Sequence, residues 1–232
     1  MLSIEDLRVA YGGVQAVRGV SLKVRIGQVV GLVGANGAGK TSVLNAVTGL
    51  VARTGRVSFE GQDFERMNTA DIVRHGVIQV AQGRQLFPDM TVMENLELGA
   101  FLQKPAEMRD MLEKMFVRFP ILRNRATQLA GTLSGGEQQM LAMARALMGR
   151  PKVLLVDEPC LGLSPKMVAV LADIIRQVNA EGISVLVVEQ NTAFVFALAH
   201  YAYVIENGQV VLEGEPSQLQ RDDRVRSAYL GI

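Results

Sequence analysis

The segment from Gly34 to Thr41, which reads GANGAGKT, constrains the fold of this chain more than any other. It matches the pattern G-x-x-x-x-G-K-[ST], in which backbone N–H groups converge on phosphate oxygens. An apolar run at residues 28–33 precedes this phosphate loop, and apolar residues at helical spacing follow it from Val43 to Leu50. Because a buried strand, a glycine-rich loop and a helix stand in this order, the sequence predicts an α/β unit that binds phosphate.

Two side chains of the phosphate loop add chemistry to this prediction. Lys40 can reach the β- and γ-phosphates of a nucleotide, and the Thr41 hydroxyl can bind Mg²⁺. An ordinary glycine-rich turn is the structural alternative, but such a turn requires neither residue type. The sequence therefore predicts nucleotide binding by the loop and the residue after it, through Gly34, Asn36, Gly37, Ala38, Gly39, Lys40, Thr41 and Ser42.

A second apolar strand, predicted at residues 153–156, runs into Asp157 and Glu158. Carboxylates at the carboxyl end of a buried strand lie at the crevice where α/β proteins bind ligands. Because neighbouring strand residues point to opposite faces, we expect the two acids to have different roles. Asp157 would hold Mg²⁺ through water, and Glu158 would orient and deprotonate the attacking water. Solvated turn carboxylates are the alternative, which the phosphate loop disfavours.

The third motif is the segment 133–139, LSGGEQQ, which we call the signature segment. Ser134 and Glu137 have the spacing of a capping box at the start of a helix. A cap does not explain Gly135 and Gly136, because glycine in the first helical turn costs stability. Two glycines are explained if a phosphate must approach the backbone there.

Outside the three motifs, the composition predicts that the chain of 232 residues is divided into a core and an inserted subdomain. Residues 88–150 are rich in Met, Leu, Glu and Arg and predict a helical subdomain, inserted into an α/β core of residues 1–87 and 151–232. A helix is predicted from Ser164 to a stop near Gly182, and a hairpin turn at Asn207-Gly208. Strands are predicted at residues 3–9, 15–24, 28–33, 56–60, 76–80, 153–156 and 183–188, the first two antiparallel.

Charge and composition exclude several function classes. Twenty-four Lys and Arg face 23 Asp and Glu, and this balance argues against a protein whose main partner is nucleic acid. A single cysteine rules out an internal disulfide framework and fits a reducing compartment. No basic leader precedes an apolar stretch, and the longest mainly apolar segment, residues 193–205, is too short to span a membrane. We therefore expect a cytosolic protein.

The phosphate loop, the signature segment and the acid-bearing strand follow one another in this order along the chain. In this order and context, they resemble the motifs of the ABC-type ATPases, and the resemblance covers essentially the whole chain. The resemblance implies a P-loop NTPase (RecA-like) core with an N-terminal antiparallel β subdomain and the inserted helical subdomain. It implies that Tyr11 stacks on adenine and that Gln82 touches Mg²⁺ or the nucleophilic water. The structural alternative for Tyr11 is a tyrosine that only flanks the turn, and the alternative for Gln82 is a solvated loop amide. It also implies a head-to-tail dimer, in which the signature segment of one subunit (Ser134, Gly135, Gly136 and Glu137) covers the ATP held by Lys40 of the other.

One departure from the family concerns Gln190, which stands where a histidine usually contacts the γ-phosphate. A glutamine amide donates hydrogen bonds but carries no charge. Impaired hydrolysis is one interpretation; the favoured one is that neutral donation suffices while Glu158 acts as the base. Glu189-Gln190-Asn191 resembles the LivF-type ATPase of branched-chain amino acid importers, as do the segments 82–88 and 162–165. That resemblance implies two transmembrane permease subunits, a solute-binding protein, a paralogous or identical ATPase partner and a place on the cytoplasmic membrane face.

Other functions stay open at this point. Gln82 stands where that group commonly has glutamate, and an amide or urea importer is the near alternative. A soluble ABC ATPase and a regulatory module that binds ATP without turnover are alternatives from different classes. Cys160 is interpreted as a packing residue rather than a reactive thiol, and residues 221–226 as a solvated tail. Met108, Met111 and Met115 are interpreted as core or contact residues, and His75 and His200 as ordinary surface or packing histidines.

Overall fold

The computed structural model describes residues 1–226, so the last six residues of the predicted core lie outside the described part. The strands are β1 (Leu2–Tyr11), β2 (Val14–Val24), β3 (Val29–Val33), β4 (Thr54–Phe59), β5 (Gln62–Asp63), β6 (Val77–Val80), β7 (Val153–Asp157), β8 (Ser184–Glu189), β9 (Tyr201–Glu206) and β10 (Gln209–Gly214). The helices are α1 (Lys40–Val47), α2 (Thr69–Arg74), α3 (Val92–Gly99), α4 (Pro105–Arg118), α5 (Pro120–Asn124), α6 (Gly135–Met148), α7 (Pro165–Ala180), α8 (Thr192–Phe196), α9 (Pro216–Leu219) and α10 (Asp223–Val225), with a 3₁₀ turn at Ala130–Thr132.

Six strands form the central sheet in the order β10-β9-β3-β8-β7-β6. Neighbours from β9 to β6 run parallel, and β10 joins β9 through the predicted hairpin turn at Asn207-Gly208. Every residue of β3, β7 and β8 is buried, because packed layers cover both faces of these strands. The register pairs Val33 with Glu189 and Asp157 with Val188, so β3, β7 and β8 end at one edge of the sheet.

The N-terminal strands form a separate antiparallel sheet in the order β2-β1-β4-β5, as the alternation of residues 3–9 and 15–24 predicts for the first pair. Its apolar face shares one core with α1 and with Val30, Leu32 and Leu186 of the central sheet. The prediction that the helix after the phosphate loop extends to Leu50 is wrong. The helix α1 ends at Val47, the chain turns at Gly49 with a positive φ of 74°, and Leu50 is exposed.

The second core lies on the other face of the central sheet, where α3 to α8 pack. Residues between β6 and β7 are helical, as predicted; the exact division of the chain at residues 87 and 151 stays a prediction. Met115 is buried, and Met108, Met111 and Cys160 pack against this core, which confirms the packing interpretation of all four. The helix α7 begins after the predicted cap, and the Ser164 hydroxyl accepts a hydrogen bond from the Met167 N–H.

Three smaller predictions have definite outcomes. The His200 Nδ1 accepts a hydrogen bond from the Val29 N–H at 3.0 Å, so this histidine has the predicted packing role. His75 contacts the Asp71 carbonyl within its own helical segment. The interpretation of residues 221–226 as a solvated tail is wrong in one respect, because Val225 in α10 is fully buried. No helix among residues 1–226 is both long and apolar enough to cross a membrane.

Candidate active site

Lys40, the first residue of α1, points back into the phosphate loop. Its ammonium donates to the carbonyls of Gly34 at 2.9 Å and Ala35 at 3.0 Å, and lies 3.1 Å from the Glu158 carboxylate Oε1. Only 3% of its side chain is exposed. The loop reaches this shape through Gly39, whose φ is 104° and where a Cβ would lie 2.4 Å from the Ala16 carbonyl oxygen. The cation is thus held inside its loop and paired with an acid.

Glu158 lies just beyond the strand rather than in it, so strand alternation does not apply to this residue, and the different roles of the two acids stay a prediction. The strand β7 ends at Asp157, and Glu158 has a left-handed φ of 42°, a strained conformation of the kind that concentrates at functional sites. Its N–H donates to the Val188 carbonyl at 2.8 Å, which anchors the turn to β8. The carboxylate Oε2 accepts a hydrogen bond from the Gln82 amide at 2.8 Å. The turn therefore brings together Lys40, Gln82 and Glu158.

Asp157 is buried and has one free oxygen. Its Oδ1 accepts a hydrogen bond from the Thr41 hydroxyl at 3.2 Å, while Oδ2 is buried with no hydrogen-bond partner in the described chain. Burial raises the pKa of this carboxyl to about 6, although the Thr41 bond opposes that shift. A cation would satisfy the orphaned oxygen and favour the charged form. The hydroxyl, carboxylate and amide oxygens of Thr41, Asp157 and Gln82 are hard ligands, which fit Mg²⁺.

Tyr11 connects the antiparallel sheet to the first turn of α1. Its hydroxyl donates to the Ser42 hydroxyl oxygen at 3.3 Å, and 48% of the residue is exposed. The ring is therefore placed beside the helix that begins in the phosphate loop, with a free surface. An exposed aromatic ring can stack on a planar base.

The signature segment forms the predicted capping box. The Glu137 N–H donates to the Ser134 hydroxyl oxygen at 3.4 Å, and the Ser134 N–H donates to the Glu137 carboxylate at 2.8 Å. Packing within the chain does not by itself require either glycine, because the nearest groups are the ends of flexible side chains. A Cβ at Gly135 would lie 3.1 Å from the Arg84 guanidinium, and one at Gly136 would lie 3.0 Å from the Met167 side chain. Within residues 1–226, no hydrogen bond or ion pair joins this segment to the phosphate loop.

A cavity of about 400 Å³ opens beside Glu158, where the turns after β7 and β8 meet. Gln190 is exposed at this cavity, and the neighbouring Glu189 is buried. Sequence reasoning missed a role for Glu189, although an acid at the end of the apolar strand β8 is the same signal that identified Asp157. The cavity is lined by Asn36, Glu158, Cys160, Leu161, Gly162, Glu189, Gln190 and Asn191.

The geometry is that of a P-loop nucleotide site, and comparison with known proteins gives the family. Residues 17–161 match the ABC transporter family. The chain is 42% identical over its full length, and over the full length of that protein, to the high-affinity branched-chain amino acid transport ATP-binding protein BraG of Pseudomonas aeruginosa. The chain therefore belongs to the ABC transporter family and is an ABC-type ATPase. This confirms the resemblance and the predicted fold class.

Solved structures agree with this assignment. A nucleotide-free ATP-binding cassette from an ABC transporter is 30% identical and superposes with a TM-score of 0.88, covering 100% of this chain and 99% of that one. A bacterial ABC transporter cassette solved as a dimer is 25% identical, with a TM-score of 0.84 over 93% of this chain and 99% of that chain.

Proposed function

We propose that this chain is the ATP-hydrolysing subunit of a membrane importer for branched-chain or other hydrophobic amino acids. One observation carries the hydrolytic part, namely the convergence of Lys40, Gln82 and Glu158 beside the buried Asp157 at one sheet edge. The transported class rests on the likeness to BraG, whose name assigns it to branched-chain amino acid transport.

The phosphate loop binds the triphosphate of ATP in this proposal. Lys40 turns from the loop carbonyls and Glu158 toward the β- and γ-phosphates, and the amides of the loop approach the same oxygens. The Tyr11 ring stacks on the adenine, since it stands exposed beside Ser42. Asn36, Gly37 and Ala38 complete the loop, with Gly34, Gly39 and Thr41.

Thr41, Asp157 and Gln82 would hold Mg²⁺, and the unpartnered Oδ2 of Asp157 favours this assignment. When bound, the ion neutralises negative charge that develops on the phosphates. Gln82 would exchange its bond to Glu158 for this role or for the nucleophilic water.

Glu158 acts as the general base. Its carboxylate accepts a proton from the attacking water once Lys40 and Gln82 have released its two oxygens. Gln190 lies across the same cavity and donates a neutral hydrogen bond to the γ-phosphate. Hydrolysis therefore requires that the Lys40–Glu158 contact opens, which connects triphosphate binding to activation of the base.

Two chains form the working unit in a head-to-tail arrangement. The amino end of α6, with Ser134, Gly135, Gly136 and Glu137, would cover ATP bound at Lys40 of the partner chain. A helix N-terminus that begins with glycines suits a phosphate. The second chain is either identical or a paralogous ATPase, and a related cassette was solved as a dimer.

Permease subunits would dock beside the loop after Gln82. A cavity of about 320 Å³ opens there between β6, the loop and α6. Phe87 on the cavity and Phe101 beyond α3 are 51% and 82% exposed. Two permeases with a periplasmic or extracellular solute-binding protein would complete the importer, with this chain on the cytoplasmic face of the plasma membrane.

The test is steady-state phosphate release by the purified chain with Mg-ATP, alone and together with candidate permease subunits in vesicles. The proposal predicts turnover that solute-loaded binding protein stimulates in the vesicles. Binding of ATP with no turnover in either setting would instead favour a regulatory module. The uncharged Gln190, which stands where a histidine is usual, is the reason for considering this alternative. Stimulation by amides or urea but not by hydrophobic amino acids would change the solute class.

A further inference from the structure

Glu189, the last residue of β8, is a buried carboxylate that the proposed chemistry does not use. Only 4% of it is exposed. Its Oε1 accepts a hydrogen bond from the Cys160 N–H at 2.8 Å, and its Oε2 accepts from the N–H groups of Gln190 at 3.1 Å and Asn191 at 3.2 Å. Burying a charge is costly unless such bonds compensate it, so these donors define where the carboxylate must lie.

The amides held by Glu189 belong to two different turns. Cys160 lies in the turn that follows Glu158, and that turn is closed by the bonds from the Leu161 N–H to the Glu158 carbonyl and from the Leu163 N–H to the Cys160 carbonyl. The other turn contains Gln190 and leads into α8. Both turns line the cavity beside Glu158. One carboxylate thus bridges the walls of the cavity at its base.

The turn that contains Gln190 is held at both of its ends. Glu189 binds the N–H groups on one side, and the Asn191 side chain accepts a hydrogen bond from the Phe194 N–H at 3.1 Å on the other, as the cap of α8. An exposed glutamine side chain keeps a defined direction only if its backbone is fixed. The side chains of Glu189 and Asn191, on either side of Gln190, provide that restraint.

We infer that Glu189 is a positioning residue for ATP hydrolysis, which holds the turn with Gln190 and the turn after Glu158 in register across the cavity. This inference rests on the proposed function of Glu158 and Gln190. The Glu189 side chain acts through these groups and makes no hydrogen bond or ion pair with the phosphate loop or Lys40 within residues 1–226. The backbone carbonyl of Glu189 accepts a hydrogen bond from the Gly34 N–H at 3.4 Å, which a change of side chain leaves in place. Glu189 therefore influences the rate of ATP hydrolysis, whereas ATP affinity depends on the phosphate loop.

Glu189→Gln is the informative variant. The amide has nearly the same shape, but its NH₂ group replaces one acceptor oxygen and faces an N–H donor, so one of the two turns is released. We expect kcat for ATP to fall about tenfold or more, as misplacement of a reacting group does, while KM stays within about twofold of the original value. Damage to the whole site would instead change KM as well. Glu65→Gln, an exposed glutamate after β5, is the matched control.

Cys160 supplies an independent readout because it is the only cysteine of the chain. Burial and the Glu189 carboxylate raise the pKa of its thiol. Removing the negative charge increases the thiolate fraction, so alkylation of Cys160 by iodoacetamide at pH 8 should accelerate about tenfold in Glu189→Gln and not in Glu65→Gln. This measurement needs no ATP and stays informative if the chain shows no turnover.

Amide hydrogen exchange of the unchanged protein tests the inference without any variant. The amides of Cys160, Gln190 and Asn191 should exchange at least about a hundredfold more slowly than an unstructured peptide, because each donates to Glu189. If Glu189→Gln does not fold, Glu189→Asp is measured in its place. Its side chain is one carbon shorter and cannot reach both turns, so a lower kcat with unchanged KM is again expected. A kcat within twofold of the original in a folded variant, or exchange of these three amides at the unstructured rate, would overturn the inference.

Discussion

The contact between Lys40 and Glu158 leads to a prediction with two opposite effects. The ammonium and the carboxylate Oε1 are 3.1 Å apart, and both side chains are largely buried. If the phosphates must displace Glu158 from Lys40, the acid that catalyses hydrolysis also competes with ATP binding. Glu158→Gln should therefore abolish turnover and at the same time strengthen binding.

The magnitudes follow from the chemistry of the contact. Removing a general base costs about 10²- to 10⁴-fold in rate, which is roughly 3 to 5.5 kcal/mol of transition-state stabilisation. A hydrogen bond between charged groups contributes about 1.5–3 kcal/mol, and a neutral one contributes about 1 kcal/mol. In Glu158→Gln, the interaction of residue 158 with Lys40 is thus weaker by roughly 1.4 kcal/mol. The phosphates displace it more easily, and ATP should bind about tenfold more tightly.

Two assays separate these effects. Phosphate release under steady-state conditions gives kcat, and titration with a fluorescent ATP analogue and Mg²⁺ gives the dissociation constant. Glu65→Gln is the control, since it makes the same chemical change on an exposed side chain. A variant that retains turnover within threefold of the original would refute Glu158 as the base. An unchanged or weaker affinity would refute competition at Lys40.

Three further predictions concern neighbouring residues. Folding raises the pKa of Asp157 to about 6, so the folded protein binds this proton more tightly than the unfolded chain does. In EDTA and without nucleotide, the free energy of unfolding should therefore fall by up to about 3 kcal/mol as pH rises from 4 to 6, and then level off. Urea unfolding should detect this fall in the original protein and not in Asp157→Asn; equal pH slopes would contradict it. Gln190→Ala should lower kcat about tenfold with unchanged ATP affinity in the fluorescence titration, and full activity would remove Gln190 from the mechanism. Gly39→Ala should weaken ATP binding at least about tenfold, because alanine disfavours a φ of 104° and its Cβ would meet the Ala16 carbonyl; wild-type affinity would refute that requirement.

The sequence predicts the elements of this fold well where a pattern is repeated over several residues. The apolar runs of β3, β7 and β8 and the capping box of the signature segment depend on local chemistry, so they are visible in the chain itself. The end of α1 was missed because Leu50 continues the apolar spacing, although Gly49 is a local stop signal. Gly49 has a positive φ, and the N–H groups of Gly49 and Leu50 donate to the Ala46 and Asn45 carbonyls and close the last turn of the helix.

The candidate site was predictable in its residue types and not in its contacts. The phosphate loop and the strand that runs into the acids identify Lys40, Asp157 and Glu158, because phosphate and magnesium chemistry requires those groups. The pairing of Lys40 with Glu158 depends on the left-handed turn after β7, which strand alternation does not predict. The bridge made by Glu189 joins residues 29 positions apart and becomes apparent only when the strands are aligned.

A complementation assay measures most directly whether the active site is shared between two chains. Lys40→Ala removes the phosphate cation, and Ser134→Arg blocks the signature segment, so each variant alone should be inactive. In a mixed dimer, the intact Lys40 of one chain meets the intact Ser134 of the other, which restores one site of the two. An equimolar mixture should therefore regain about a quarter of the original phosphate release, since half of the dimers are mixed. No recovery in mixtures that demonstrably contain mixed dimers, or full activity of Ser134→Arg alone, would contradict the account.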